Sequence, residues 1–414
     1  MKSTIKRYWG KIFLFLIVLG PGLITAFADN DAGGVATYSV AASRFGYHIL
    51  TTLIPITIVL AISQEVGARL AVVTGRGLGD LIRERFGIRV SIFVFFVAFI
   101  VNFGVILQDV SGLKGALQLF KLDYRIFLPI ILILLFIFIV KSTYSKIERF
   151  FLFLILFYLT YVFSAVLAKP DWSLAIRSIV MLPGKITFNY LFTSIAVLGT
   201  TVTIWGQFFI NSYVKDKKLT SNRLKYEQLE VYIASILSDI STWFIMLAVI
   251  ATLYANRISI TGAAEAALAI RPFAGQLAGL LFGLGLLIAA FLGCAIVPLS
   301  TAYAFSEFFG YEGSLENDFK KSRLFYIFFL IQIILGLFVV LQPNFNLFQI
   351  TLYADFLNGI SLPIIFYFLY RLSNDTELMG RYKNSRWQNI LLAGSGIAIS
   401  IAALIGVAGE IFHF

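Results

Sequence analysis

Six carboxylates of this 414-residue chain stand inside apolar stretches: Asp29, Asp31, Glu65, Asp109, Asp239 and Asp355. An acid surrounded by hydrocarbon is costly to keep and marks an ion or proton path by default. Glu65 precedes Arg69 by four residues, one helical turn, so a local ion pair is expected there. Asp109 has Lys114 as a nearby cation at a poor angle, and Asp239 lies among Ser235, Ser238, Ser241 and Thr242. Both are read as either proton carriers or structural carboxylates. Asp29 and Asp31 have no cation close in sequence. Carboxylates, hydroxyls and free backbone carbonyls are the ligand set of a hard divalent cation such as magnesium, calcium or manganese. One cysteine, Cys294, and two histidines, His48 and His413, exclude an internal disulfide, a multi-cysteine zinc site and a histidine-rich metal site.

Two stretches supply the free carbonyls. The first carries Gly20-Pro21-Gly22 and then Asp29-Asn30-Asp31-Ala32-Gly33-Gly34. The second carries Gly199-Thr200-Thr201-Val202-Thr203, followed by Gly206. Glycine and threonine in mid-membrane weaken a helix, and unwound backbone survives there only where protein or water surrounds it. The stretches are five spans apart, an odd number, so they cross the bilayer in opposite senses. That is the pattern of an inverted repeat with a midplane site between two discontinuous helices. Small residues that merely pack well in membrane helices are the competing explanation. Ala26-Phe27-Ala28 also fits a signal-peptidase site, but Asp29 to Gly34 makes better sense inside a broken helix than at a mature terminus.

The elements that must position these groups follow from composition. Hydrophobic residues make up 59 % of the chain and charged residues 13 %, about half the charge a globular surface needs. The outside therefore faces lipid, which excludes a soluble enzyme, a fibrous protein and a disordered one. About eleven apolar stretches of membrane length are centred near Ile17, Leu60, Phe99, Ile133, Leu156, Ala196, Ile245, Leu287, Phe329, Leu357 and Ile399. With Lys2, Lys6, Arg7 and Lys11 cytoplasmic and sides alternating, 23 Lys and Arg fall on the cytoplasmic side and 8 opposite, with Arg69 and Lys114 inside spans. The net charge of +11 thus reports membrane orientation and implies no nucleic-acid partner. The expectation is an all-α integral membrane protein, multi-pass in the cell membrane, with the N-terminus cytoplasmic and the C-terminus outside. It forms a single domain over 1–414: repeat one about 12–168, repeat two about 187–371 and an extra helix about 388–411. No phosphate-binding loop is present, so primary pumping is excluded.

The residues resemble the Nramp family of divalent-metal transporters. The run Asp31-Ala32-Gly33-Gly34-Val35-Ala36-Thr37 with Arg44-Phe45-Gly46-Tyr47 resembles the family's first span and its Asp-Pro-Gly-Asn motif. Ala68 to Gly75 with Arg83-Glu84-Arg85-Phe86 resembles the end of its second span; Ile147-Glu148-Arg149 resembles the start of its fifth; Ser361-Leu362-Pro363 with Leu378-Met379-Gly380 resembles its tenth. The resemblance implies about 11 transmembrane helices in a LeuT-like inverted repeat, discontinuous helices 1 and 6, alternating access and no enzymatic activity. It also implies that Asp31 is the main metal ligand, close to Thr203 across the two breaks, with carbonyls near Ala28 and Thr200. Asp29 and Asp355 are expected to help hold a hydrated ion, and Asn102 and Gln207 to stand behind the ligands.

The departures from the family pattern carry the expected selectivity. Gly34 stands where the family has a metal-binding Asn, Thr203 where it has a Met, and Trp205 where it has a His; Ile204 replaces the usual Pro. Asn102 and Gly112 stand where acids flank the proton-carrying Asp that matches Asp109, and Asp355 replaces a Gln. A thioether favours iron, manganese, cobalt or cadmium over magnesium, so its loss removes that discrimination. Gly34 is expected to widen the cavity for an ion that keeps some of its water. The sequence is most similar to the Nramp-related magnesium transporters. The expected cargo is magnesium with manganese accepted, taken up weakly coupled or uncoupled to protons, with no cofactor and by a monomer. The runner-up is an ordinary proton-coupled manganese or iron importer. A sodium-coupled amino-acid transporter is disfavoured because Asp31 would repel a substrate carboxylate. An intramembrane aspartyl hydrolase is disfavoured because it needs two carboxylates sharing a proton.

Overall fold

In lipid, backbone N–H and C=O groups must find partners within the chain, and among the described residues every regular element is helical. The computed structural model describes residues 18–181, 186–260, 262–342 and 347–412. Lys2, Lys6, Arg7, Lys11, Lys185 and His413 lie outside them. We number the long helices α1 (Pro21–Ala28), α2 (Ala32–Phe45), α3 (Leu53–Thr74), α4 (Ile88–Leu119), α5 (Tyr124–Lys141), α6 (Tyr144–Ala168), α7 (Phe188–Thr201), α8 (Ile204–Asp216), α9 (Leu224–Val249), α10 (Gln276–Phe309), α11 (Arg323–Leu341), α12 (Leu347–Ser373) and α13 (Arg386–Phe412). Among the described residues ten stretches are long and apolar enough to cross a membrane. The first, Ala32–Thr74, contains both α2 and α3; the centre of the first expected span, near Ile17, lies outside the described residues. The chain is a multi-pass membrane protein.

Its surface carries large apolar side chains, and polar and charged side chains are enclosed within an otherwise apolar interior. Phe96, Ile100, Phe163, Phe338 and Leu404 are each more than half exposed, whereas Asp29, Asn30, Asp109, Gln64 and Asn358 are fully enclosed. α4 packs along α10, α7 along α12, and α9 against both α1 and α3. The breaks between α1 and α2 and between α7 and α8 fall inside this packing.

Helix α7 approaches α12 as closely as backbone allows. A Cβ built on Gly199 would lie 2.1 Å from the Asp355 carbonyl oxygen and 2.6 Å from the Gly359 nitrogen. Both are backbone atoms and cannot swing aside. Gly199→Ala is therefore expected to cost about 1–3 kcal/mol of stability by overpacking. A thermal melt of purified protein in detergent checks this: the midpoint should fall by several degrees, and an unchanged midpoint would contradict the close approach.

Candidate metal site

Three residues, Asp29, Asn30 and Asp31, separate α1 from α2, and two, Val202 and Thr203, separate α7 from α8. Each second half begins with a side-chain cap. The Asp31 carboxylate accepts from the Gly34 N–H at 2.8 Å, and the Thr203 hydroxyl from the Gly206 N–H at 2.9 Å. These N-termini are the positive ends of the half-helices. They fix one carboxylate and one hydroxyl at the two breaks.

The breaks are held open from outside. In a continuous helix the Ala32 N–H would bond the Ala28 carbonyl, and the Ile204 N–H the Thr200 carbonyl. Instead the Ala32 N–H donates to Asp109 of α4 at 3.1 Å, and the Ile204 N–H to the Asn358 side chain of α12 at 3.1 Å. Both carbonyls expected as ligands, Ala28 and Thr200, thereby lose their helical donors. Asn30 rivets the first break in place. Its side-chain nitrogen donates to the Ser238 carbonyl and hydroxyl, both at 3.0 Å, and its side-chain oxygen accepts from Thr242 at 2.8 Å. Its carbonyl accepts from Tyr158 of α6 at 3.0 Å.

The acids face this framework. Asp29 accepts from Thr203 at 2.8 Å and from Gln64 of α3 at 3.0 Å. Asp355 accepts from Thr37 of α2 at 2.5 Å and from Gln108 of α4 at 2.9 Å. Asp31, Asp109 and Asp355 lie within electrostatic reach of one another. Among the described residues no three His, Cys, Asp or Glu side chains converge as a ready-made metal cage. In this arrangement the carboxylates are instead occupied by N–H and O–H donors. The side chains of Asp29, Asp31 and Thr203 and the carbonyls of Ala28 and Thr200 thus put only oxygen acceptors at the two breaks.

Residues 22–409 match the family described as natural resistance-associated macrophage protein-like. The chain belongs to the Nramp family. It is 25 % identical over 294 residues to the divalent metal cation transporter MntH of Caldanaerobacter subterraneus, covering 68 % of this chain and 69 % of that one. It is 24 % identical over 413 residues to the MntH of Staphylococcus saprophyticus, covering 94 % of this chain and 90 % of that one. The solved manganese transporter of Eremococcus coleocola shares the Nramp fold with it, at a TM-score of 0.76 and 18 % identity over 98 % of this chain and 89 % of that chain.

Within the Nramp fold several expectations need correction. The Thr203 hydroxyl donates to Asp29 and not to Asp31; Asp31 and Thr203 each cap their own half-helix. Gly34 does not widen the cavity. A Cβ there would lie 2.8 Å from the Asp29 carbonyl oxygen and 3.3 Å from the Thr200 hydroxyl, so the chain itself occupies that space. Asn102 donates to Thr301 at 2.9 Å and Gln207 to Ser63 at 3.2 Å; neither bonds a site carboxylate. Lys114 bonds the Val340 carbonyl at 3.0 Å, away from Asp109. Asp109 lies against α10, where a Cβ on Gly293 would meet its carboxylate at 2.2 Å. Neither Asp239 carboxylate oxygen has a hydrogen-bond partner among the described residues, because Ser238 and Thr242 serve Asn30 and Thr57 donates to the Leu53 carbonyl. Glu65 pairs with Arg69 at 2.7 Å as expected, away from the breaks. Sequence reasoning missed Asn30, Gln64, Gln108, Asn358 and the buried Cys294, which lies within electrostatic reach of Asp109 and Asp31.

Proposed function

We propose that this Nramp-family chain carries hard divalent cations, magnesium with manganese also accepted, through the two helix breaks by alternating access. The two repeats, about 12–168 and 187–371, move against each other around the site in a monomer. The basic face is cytoplasmic, with the N-terminus there and the C-terminus outside. Uptake runs down the electrochemical gradient, which supplies about 2.3 kcal/mol per charge per 100 mV at an inside-negative membrane. The observation that carries this reading is the donor set at the breaks: Asp29, Asp31, Thr203 and the Ala28 and Thr200 carbonyls are all oxygen, and neither unwound segment contains Met, His or Cys. Oxygen donors suit magnesium and manganese and give cadmium no advantage. Asp355, held by Thr37 and Gln108, adds negative charge that draws a hydrated cation in.

The second reading is an ordinary proton-coupled manganese or iron importer, favoured by relatives named as manganese or divalent metal cation transporters. The two differ in what Asp109 does. A relay needs titratable groups reaching from the site to one side. Asp109 instead bonds the first N–H of α2, which is a structural duty. Asp109→Asn keeps an acceptor oxygen there and loses only charge assistance. Uptake in that variant is therefore expected to stay within about tenfold of the parent. The check is internal pH in proteoliposomes during manganese uptake. No acidification is expected in either protein. Acidification that tracks metal entry and disappears in Asp109→Asn would assign the chain to the proton-coupled reading.

A further inference from the structure

The entry to α1 is gripped by charges that metal binding does not use. Pro21 opens the helix and has no N–H to satisfy, a common first residue. The neighbouring donors all reach one carboxylate, Glu230 of α9. The Gly20 N–H lies 3.0 Å from Oε1, the Gly22 N–H 2.9 Å from Oε2 and the Leu23 N–H 2.8 Å from Oε1. The preceding carbonyls reach one ammonium, Lys217 at the end of α8, which donates to Val18 at 2.9 Å and Leu19 at 2.8 Å. Lys217 also pairs with Glu148 of α6 at 2.7 Å. Glu230 is fully enclosed, and Lys217 and Glu148 are only slightly exposed.

The glycines make this grip possible. A Cβ on Gly22 would lie 2.1 Å from the Glu230 carboxylate, and one on Gly20 would lie 2.2 Å from that of Glu148. Gly20 also has φ near +149°, which side chains disfavour. Helix α1 is thus an eight-residue lever. One end is clamped by three other helices, and the other ends in the unwound Asp29–Asp31 segment, where the chain can bend.

We propose that Glu230 and Lys217 form a latch that holds α1 closed at the basic end of the bundle, and that each transport cycle releases it. The inference rests on the transport reading above for its place in the cycle, but not on which ion is carried. A buried carboxylate accepting three N–H bonds at a helix N-terminus favours the closed position through both hydrogen bonding and the helix dipole. When α1 swings away, water entering the gap replaces those donors, so release is reversible. Glu230 and Lys217 act on the metal only through the position of α1, and are positioning residues.

The test uses the single cysteine. In a Cys294→Ala background, Ala26→Cys places a thiol on α1 at a fully enclosed position. Its labelling by a charged maleimide is timed in detergent micelles, where both faces are accessible and no metal is needed. Labelling therefore succeeds or fails independently of ion selectivity and membrane orientation. Glu230→Gln should accelerate it about tenfold, since the amide keeps one acceptor but loses the charge. Glu227→Gln, three residues earlier on α9, is the control. Glu227 is also enclosed, but neither of its oxygens is hydrogen-bonded, and the change should leave the labelling rate as it was. If Glu230→Gln does not fold, Lys217→Met removes the other arm and should accelerate labelling in the same direction. Parent-like labelling when either arm is removed, or equal acceleration by Glu227→Gln, would overturn the latch.

Discussion

Asp31→Asn is expected to lower divalent-cation uptake about a hundredfold or more while the protein still folds. The separation of the two effects follows from the two roles of Asp31. As the cap of α2 it accepts from the Gly34 N–H, and asparagine caps a helix about as well as aspartate. In the proposed ligand role it would supply charge in an enclosed site, and the amide would not. Asp31→Ala should lose the cap as well, costing about 1 kcal/mol more. The pair is read by radiotracer uptake beside a thermal melt. Normal uptake in Asp31→Asn would remove this carboxylate from the site. A melt shifted more by Asp31→Asn than by Asp31→Ala would show that the capping role is misassigned.

The second large effect is a change of selectivity. Thr203→Met puts a thioether where the resemblance to other Nramp proteins puts one. Soft ligands prefer cadmium to magnesium, so cadmium uptake should rise about tenfold or more relative to magnesium. The change also has a cost. Thr203 caps α8 and donates to Asp29, so about 1 kcal/mol of stability should be lost with the cap. Thr203→Ser keeps both bonds and separates the two consequences: it should transport like the parent and remain blind to cadmium. Unchanged relative uptake of cadmium in Thr203→Met would place residue 203 outside the ion's coordination shell.

Both breaks were legible because they are written in residue types that a membrane helix otherwise avoids. Asp29 and Asp31 beside Gly33 and Gly34, and a run of threonines after Gly199, mark unwinding without any knowledge of the neighbours. What holds the breaks open was not legible. Asn358 takes the Ile204 N–H from 154 residues away, and Asp109 takes the Ala32 N–H from 77 residues away. Amides such as Asn30, Gln64 and Gln108 cost less to bury than acids and do not stand out in sequence. The Gly34 reading failed for a different reason. Deleting a side chain leaves a hole only if nothing moves in, and here the Asp29 carbonyl and Thr200 already stand there. Gly20-Pro21-Gly22 was read as part of the break in helix 1, whereas its closest contacts are Glu230 and Glu148 at the other end of α1.

An oxygen-lined, proton-independent site is tested by influx of magnesium, manganese and cadmium into proteoliposomes of the parent protein, with internal pH recorded in the same vesicles and Asp31→Asn as the blank. Magnesium and manganese should enter faster than in the blank, driven by an inside-negative potential, with internal pH flat and cadmium no faster than in the blank. Cadmium entering faster than magnesium, with internal acidification in step, would contradict it.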